Sequence, residues 1–196
     1  MSSYVSVQSM VALSELYLVK LHLQAYFLHH QCEELVFDKG PMIEEAPWFR
    51  VLRFSPGPMY NLWAHVTLGA SALRDEEGGL EFSILTEYES PRFVELLTMS
   101  AYYHQNHKLG VGHTVSLGEP WVDGSRCNCY LVSLPYPLGP DFEVCKVNDS
   151  HVHALWLLPI TEKEREYKIS NGADALERIF DQKALKYWDF SRRSVV

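Results

Sequence analysis

The sequence predicts an α+β fold, in which a mostly antiparallel β-sheet is covered by helices. The predicted elements come as one helix, a run of strands, a second helix, another run of strands and two final helices. Strands that follow one another in runs can pair directly as antiparallel neighbours, whereas a parallel sheet needs a long connection between its strands. The C-terminal third adds a strand, a helix cap and a helix in succession, and these local signals agree with one another.

Length and composition predict a single domain over residues 1–196. Of the 196 residues 47% are hydrophobic and 13% aromatic, which is enough to build a core. Lys and Arg number 17 against 25 Asp and Glu, so the net charge is −8. Phosphate binding needs a basic surface, and beyond Arg192-Arg193 we find no basic cluster. We therefore expect no nucleic-acid partner. An acidic surface would instead suit a partner that is basic.

The cysteines and the N-terminus predict a cytoplasmic protein with reduced thiols. Four cysteines are too few to form a disulfide scaffold in a chain of this length. Cys127 and Cys129 flank one residue of a predicted strand, so we expect them to share a face. We see no basic segment before the N-terminal apolar residues that would mark a secretory signal. Charged and polar residues interrupt the apolar stretch at residues 11–28, so no membrane span is predicted.

Residues 9–29 are predicted to form one long helix, because apolar residues recur at helical spacing and neither Gly nor Pro interrupts them. Its expected buried face consists of Leu13, Leu16, Tyr17, Lys20, Leu21, Gln24 and Leu28, widened by Leu18 and Phe27. Residues 1–8 are expected to be loose. The next strands are predicted over residues 33–37, 48–54, 62–68 and 80–88, with a charged loop at residues 74–79.

A second helix is predicted over residues 90–104, with Ser90 as its cap and Pro91 at its first position. The residues that it should bury are Phe93, Leu96, Leu97, Ser100 and Tyr103. Further strands are predicted over residues 115–117, 127–134 and 142–147. Asn148-Asp149 then predicts a hairpin back into the strand that follows.

The C-terminal third opens with a buried strand at residues 154–158, which Pro159 is expected to stop because it has no N–H to donate. Thr161 and Glu164 form a capping box at the start of a helix. Gly172 is expected to close that helix in the left-handed conformation. A last helix over residues 173–182 should place Leu176, Ile179 and Phe180 on one face.

Gly110-Val111-Gly112-His113 does not predict a nucleotide site. The motif follows a helix, and it lacks the third Gly and the Lys of phosphate-binding loops. Loop glycines that permit positive φ explain it better.

The histidines do not predict a metal site, although His151 and His153 share a strand face. His104 and His107 lie at a helix end, with His113 beyond, but the spacing matches no zinc motif. We therefore expect neither a metal nor another cofactor.

The sequence does not predict an enzyme. No Gly-x-Ser-x-Gly elbow is present, and Cys127 and Cys145 read as buried hydrophobic residues. The alternative is a small metal- or cysteine-dependent hydrolase. It would need a cavity that gathers His104, His107 or His113 with His151 or His153. A third hypothesis is a structural or regulatory subunit without a ligand.

A binding surface is the function that the motifs favour. Aromatic residues at a helix end, the glycines of a flexible loop and a further aromatic residue follow one another in sequence. Aromatic side chains lose little rotamer entropy when they are fixed in an interface, so they are typical anchors for a protein partner. The candidate partner-binding residues are Tyr102, Tyr103, Gly112, His113 and Trp121.

Three segments resemble bacterial proteins with a suppressor-of-fused domain. They are LGVGHTVSLGEPW at residues 109–121, LWLLPITEKEREYKISNGADALERIF at residues 155–180 and SRRSVV at residues 191–196. A looser likeness extends to the N-terminal helix around Glu15-Leu16-Tyr17.

The resemblance implies a non-enzymatic protein-interaction module. The animal protein of this family has two lobes, which clamp a short peptide of a Hedgehog-pathway transcription factor as an added β-strand. This chain resembles the N-terminal lobe alone, so the two-sided clamp should be absent. The peptide-contacting region of the animal lobe matches Tyr102 and Gly112-His113 here, with Gly112 in place of an Asp.

The bacterial members of the family suggest a more particular role. Many of them resemble immunity proteins of toxin systems. The resemblance therefore implies a protein partner, with a toxin as one candidate, and it names neither a specific toxin nor a peptide.

Overall fold

The computed structural model of the chain describes residues 7–74 and 79–196, with side chains from residue 14 onward. Within these ranges it has eight strands and six α-helices. The strands are β1 (Cys32–Leu35), β2 (Arg50–Phe54), β3 (Trp63–Leu68), β4 (Leu80–Thr86), β5 (Thr114–Ser116), β6 (Cys129–Ser133), β7 (Val144–Val147) and β8 (Ser150–Ile160). The helices are α1 (Val7–Tyr26), α2 (Met42–Glu45), α3 (Pro91–Asn106), α4 (Pro140–Glu143), α5 (Glu162–Asn171) and α6 (Ala173–Gln182). The segment expected to be loose lies mostly outside the described residues, as does most of the charged loop.

The strands form one mixed sheet, which confirms the α+β fold. The strand order is β1-β2-β3-β4-β8-β6-β5, and β7 pairs with β8 off this path. All pairs are antiparallel except β4 with β8, which are parallel and place Ser83 opposite Trp156. No helix of the described residues combines the length and the apolar composition of a bilayer span.

The sheet separates two apolar clusters, one on each face. The cluster on the α1 side includes Leu23, Phe27, Val66 and Trp156. The cluster on the α3 side includes residues such as Phe82, Phe93, Leu97 and Trp121. Both faces of the sheet are therefore buried. This explains why the polar side chains of β3 are buried as well as the apolar ones.

The buried face of α1 differs from the predicted one. Leu16, Val19, Leu23 and Phe27 face the core, whereas Tyr17, Leu21 and Leu28 are exposed. Two apolar stripes with helical spacing run along this helix, so periodicity alone does not decide between them.

Pro159 does not end its strand, contrary to the prediction. It lies within β8, opposite Tyr130 of β6. Its carbonyl accepts a hydrogen bond from Nη2 of Arg192 at 2.9 Å. Since N and C=O of one strand residue point to the same side, the nitrogen of Pro159 also points away from β6. The missing N–H therefore removes no bond of the β6–β8 ladder.

Cys127 and Cys129 do not share a face, which corrects a second expectation. Strand β6 begins only at Cys129, so the alternation of a regular strand does not extend to Cys127. Cys127 packs in the cluster on the α3 side and Cys129 in the cluster on the α1 side.

The C-terminal unit confirms the capping box. The hydroxyl of Thr161 accepts from the N–H of Glu164, and the Glu164 carboxylate accepts from the N–H of Thr161. Gly172 ends α5 with φ 91° and ψ 162°, which is a conformation that suits Gly but is not the left-handed helical one that we expected. Phe142, predicted in a strand, lies in α4, whereas the hairpin of β7 and β8 turns at Asn148 with φ 52° as predicted.

Candidate functional site

Strand β5 lies at an open edge of the sheet, and among the strands of the described residues it pairs with β6 alone. The N–H of Leu117 donates to the carbonyl of Asn128 at 2.9 Å, and the N–H of Val132 donates to the carbonyl of His113 at 2.8 Å. Backbone groups alternate in direction along an antiparallel strand. Those of Thr114 and Ser116 therefore point to the open edge, where another strand could pair.

A groove of about 480 Å³ runs beside this strand. One wall is the end of α3, with Met99, Tyr102 and Tyr103, and the other includes part of β5, Phe37 and residues 39–42. The Tyr103 side chain is 42% exposed, although the helix pattern predicted it to be buried. Its ring stacks on His107 with a centroid distance of 4.6 Å, which holds an aromatic face at the rim.

Lys39 lines the groove, and no Asp or Glu is among the described residues that do so. The groove thus differs from the chain as a whole, whose net charge is −8. Its walls suit apolar or aromatic side chains of an extended segment.

Gly112 and His113 lie at the start of β5 and not in the wall of the groove. The N–H of Gly112 donates to the carbonyl of Val132 at 2.8 Å, and its φ is 84°. A β-carbon at Gly112 would lie 3.8 Å from that of Ala173, so there is room for a side chain. A substitution of Gly112 would be unfavourable because other residues rarely adopt this positive φ. The His113 side chain is exposed beside the open edge.

Trp121 is a core residue, which corrects its place among the candidate contacts. Its side chain is 0% exposed, and its ring stacks on Phe190 with a centroid distance of 5.5 Å. Its Nε1 donates to the carbonyl of Cys129 at 2.7 Å. The Pro-Trp motif therefore closes the α3 side of the core, and we leave Trp121 out of the candidate surface.

A second cavity, of about 280 Å³, brings together His104 and His153, which the hydrolase alternative required. Nδ1 of His104 accepts from the N–H of Leu109 at 2.9 Å, and Nδ1 of His153 lies 3.2 Å from the Glu143 carboxylate. None of the four cysteines lines this cavity, and the hydroxyl of Ser71 at its wall donates to Glu81. No group of three metal-ligating side chains occurs among the described residues. Apart from the two histidines in one cavity, these observations do not support the hydrolase alternative.

The buried thiols are not activated. Burial raises the pKa of Cys127 and Cys145 to about 11, and burial with a hydrogen bond to Glu162 raises the pKa of Cys129 to about 12. Burial also raises the pKa of Cys32. Because the thiolate is the nucleophile, a raised pKa leaves these thiols less reactive than a free cysteine.

Sequence reasoning missed the wall formed by Phe37 and residues 39–42. These residues are some sixty positions from Tyr102 in the chain, and nothing local links the two segments. Lys39-Gly40-Pro41 has the composition of a turn, but the sequence does not indicate that this turn lies beside α3.

A mixed sheet covered by helices, with an open edge strand and an adjoining groove, defines an α+β domain with a candidate binding surface. The model of the suppressor of fused protein family (SUFU) matches residues 46–193 of the chain. A SUFU homologue from Neisseria gonorrhoeae, known as a crystal structure, is 32% identical with a TM-score of 0.82, over 94% of this chain and 98% of that one. The chain therefore belongs to the suppressor of fused family.

Two further solved structures share the fold at low sequence identity. The Sufu–Fu complex matches with 14% identity and a TM-score of 0.68, over 92% of each chain. Drosophila Suppressor of Fused matches with 12% identity and a TM-score of 0.57, over 75% of this chain but only 42% of its own. Among curated proteins the comparison found no match.

Proposed function

We propose that this chain is a non-enzymatic protein-interaction domain, which binds a polypeptide partner as an added strand along β5. The observation that carries the proposal is the open edge, where the backbone groups of Thr114 and Ser116 point outward. Main-chain hydrogen bonds to an added strand supply affinity, and pockets for alternate side chains supply specificity. The groove beside β5 would take those side chains.

The candidate residues have distinct roles in this proposal. Tyr102 and Tyr103 form the aromatic wall against which a partner side chain would pack. Gly112 allows the turn that leads into β5, and exposed His113 would contact the partner beside the first added hydrogen bonds. The Sufu–Fu complex, which shares the fold, is a complex of a family member with another protein, and this supports a polypeptide ligand.

Within this class, we propose a cytoplasmic bacterial immunity protein whose partner is a toxin. The net charge of −8 supports this reading, because an acidic protein attracts a basic partner and raises the association rate. The gene beside that of this protein would encode the toxin. Co-expression should then abolish the toxicity of that gene product, and toxicity that persists would refute the immunity role while leaving the interaction domain untouched.

Changing Ser116 to Pro is expected to weaken partner binding by at least about tenfold, because it removes an N–H that points to the open edge. The same substitution leaves the β5–β6 ladder intact, so the thermal midpoint of unfolding should change little.

The partner is first identified by capture in host cells. A photoreactive side chain at position 103 captures it, and the same group at exposed Tyr17 is the matched control. Titration calorimetry with the purified partner then gives the affinities.

Two results would count against edge-strand binding. One is a partner captured equally at positions 103 and 17. The other is an unchanged affinity of the Ser116→Pro variant, provided that its circular dichroism shows a folded protein.

A further inference from the structure

A third cavity, of about 700 Å³, lies on the face of the sheet opposite the groove. Its walls come from β8, from the chain after β6, and from α6 with the segment that follows it. The aromatic residues of these walls are Tyr136, Trp156, Phe180, Tyr187 and Trp188. Trp156 and Phe180 belong to the cluster on the α1 side, whereas the groove beside β5 adjoins the cluster on the α3 side.

Three of the aromatic rings, those of Trp156, Tyr187 and Trp188, are held by contacts with one another. Tyr187 meets Trp156 edge to face at 4.8 Å and Trp188 at 4.7 Å. The hydroxyl of Tyr187 shares a hydrogen bond of 2.6 Å with that of Tyr60. Nε1 of Trp156 is a buried donor without an acceptor among the described residues.

The cavity is negatively charged. Glu177 and Asp181 line it, and no Lys or Arg is among the described residues that do so. An Oε1 of Glu177 accepts from the hydroxyl of Ser133 at 3.1 Å. Burial raises the pKa of Glu177, and so do the neighbouring charges of Asp174 and Asp181. Burial also raises the pKa of Tyr136, as do the same carboxylates, so the negative potential reaches across the cavity.

We propose that this cavity binds an arginine side chain of a polypeptide partner. A guanidinium is planar, stacks on aromatic faces and donates in a fork that matches a carboxylate. The cavity offers both, with aromatic walls for stacking and the carboxylates of Glu177 and Asp181 for the charge. The chain already shows the contact once, since the guanidinium of Arg192 lies 5.8 Å from the centroid of the Phe180 ring.

This site does not rest on the proposal for β5, because it uses other residues on the other face. The test uses the full chain and the peptide acetyl-Gly-Gly-Arg-Gly-Gly-amide, with a citrulline peptide as its neutral isostere and a lysine peptide as a second cation. Proton–nitrogen NMR follows the indole N–H signals of Trp156 and Trp188, which single Trp→Phe variants assign. The arginine peptide should shift both signals saturably, and the citrulline and lysine peptides should bind at least about fivefold more weakly.

Substitutions of the cavity carboxylates test where the guanidinium of the peptide binds. Glu177→Gln keeps an acceptor for Ser133 but loses the charge, so it should weaken the arginine peptide about tenfold. Glu166→Gln, at an exposed position of α5, is the matched control and should leave binding unchanged. If Glu177→Gln fails to fold, Asp181→Asn at an exposed position takes its place. The proposal is overturned by the absence of a saturable shift up to about 10 mM peptide. It is equally overturned by equal binding of the citrulline or lysine peptide, or by an equal effect of the two Gln variants.

Discussion

Replacing Arg192 with alanine is expected to lower the free energy of unfolding by about 3–5 kcal/mol, because the change leaves a buried carboxylate without its cation. Glu164 is fully buried, and its oxygens lie 2.6 Å from Nη1 and 2.9 Å from Nη2 of Arg192. Arg192 also donates to the carbonyl of Pro159. The pair thus joins the C-terminal segment to α5 and to β8, and urea denaturation monitored by circular dichroism would measure its loss.

Arg193 supplies the matched control for this measurement. It is exposed, and its replacement by alanine should change the free energy of unfolding by less than about 0.5 kcal/mol. Equal effects of the two substitutions would show that the Glu164–Arg192 pair does not hold the C-terminal segment in place.

Replacing Trp121 with alanine is expected to cost about 3–5 kcal/mol of stability, the range for emptying a buried aromatic site. The indole is fully enclosed, and its loss also leaves the carbonyl of Cys129 without this donor. Exposed Trp48 is the control, and its replacement by alanine should cost less than about 1 kcal/mol. The opposite pattern, a stable Trp121→Ala variant that no longer binds its partner, would restore Trp121 to the binding surface.

The sequence predicted the elements whose signals are local. The capping box of Thr161 and Glu164, the Ser90-Pro91 helix start and the hairpin at Asn148 each depend on residues a few positions apart. Such signals act through backbone geometry and nearby hydrogen bonds, so they can be recognised without knowing the rest of the fold.

Features that depend on distant contacts could not be predicted in this way. The parallel pairing of β4 with β8 joins segments about seventy residues apart, and no local pattern indicates it. Glu81 carries a carboxylate, a group that is seldom fully buried, so an exposed position would be the ordinary expectation. It is buried instead, and it accepts hydrogen bonds from Thr67, from Ser71 and from the backbone of residues 69–71. The burial of Glu81 follows from the covering of both faces of the sheet.

The candidate site was predicted in part. Tyr102 and Tyr103 stood out because they precede a glycine-rich loop, and the structure places them in the wall of the groove. Phe37 and residues 39–42 could not be assigned to the same wall, because they lie about sixty positions from Tyr102 in the chain and no local pattern links them. The same local reasoning misplaced Trp121, since an aromatic residue beside a loop can also close a core.

The central claim, that a partner adds a strand along β5, is tested most directly by amide hydrogen exchange of the domain with and without the captured partner. The account predicts that the amides of Thr114 and Ser116 exchange at least about tenfold more slowly in the complex, because each gains an acceptor. The amides of β1, at the other edge of the sheet, should keep their rates. Unchanged exchange at Thr114 and Ser116, with protection appearing elsewhere on the domain, would contradict it.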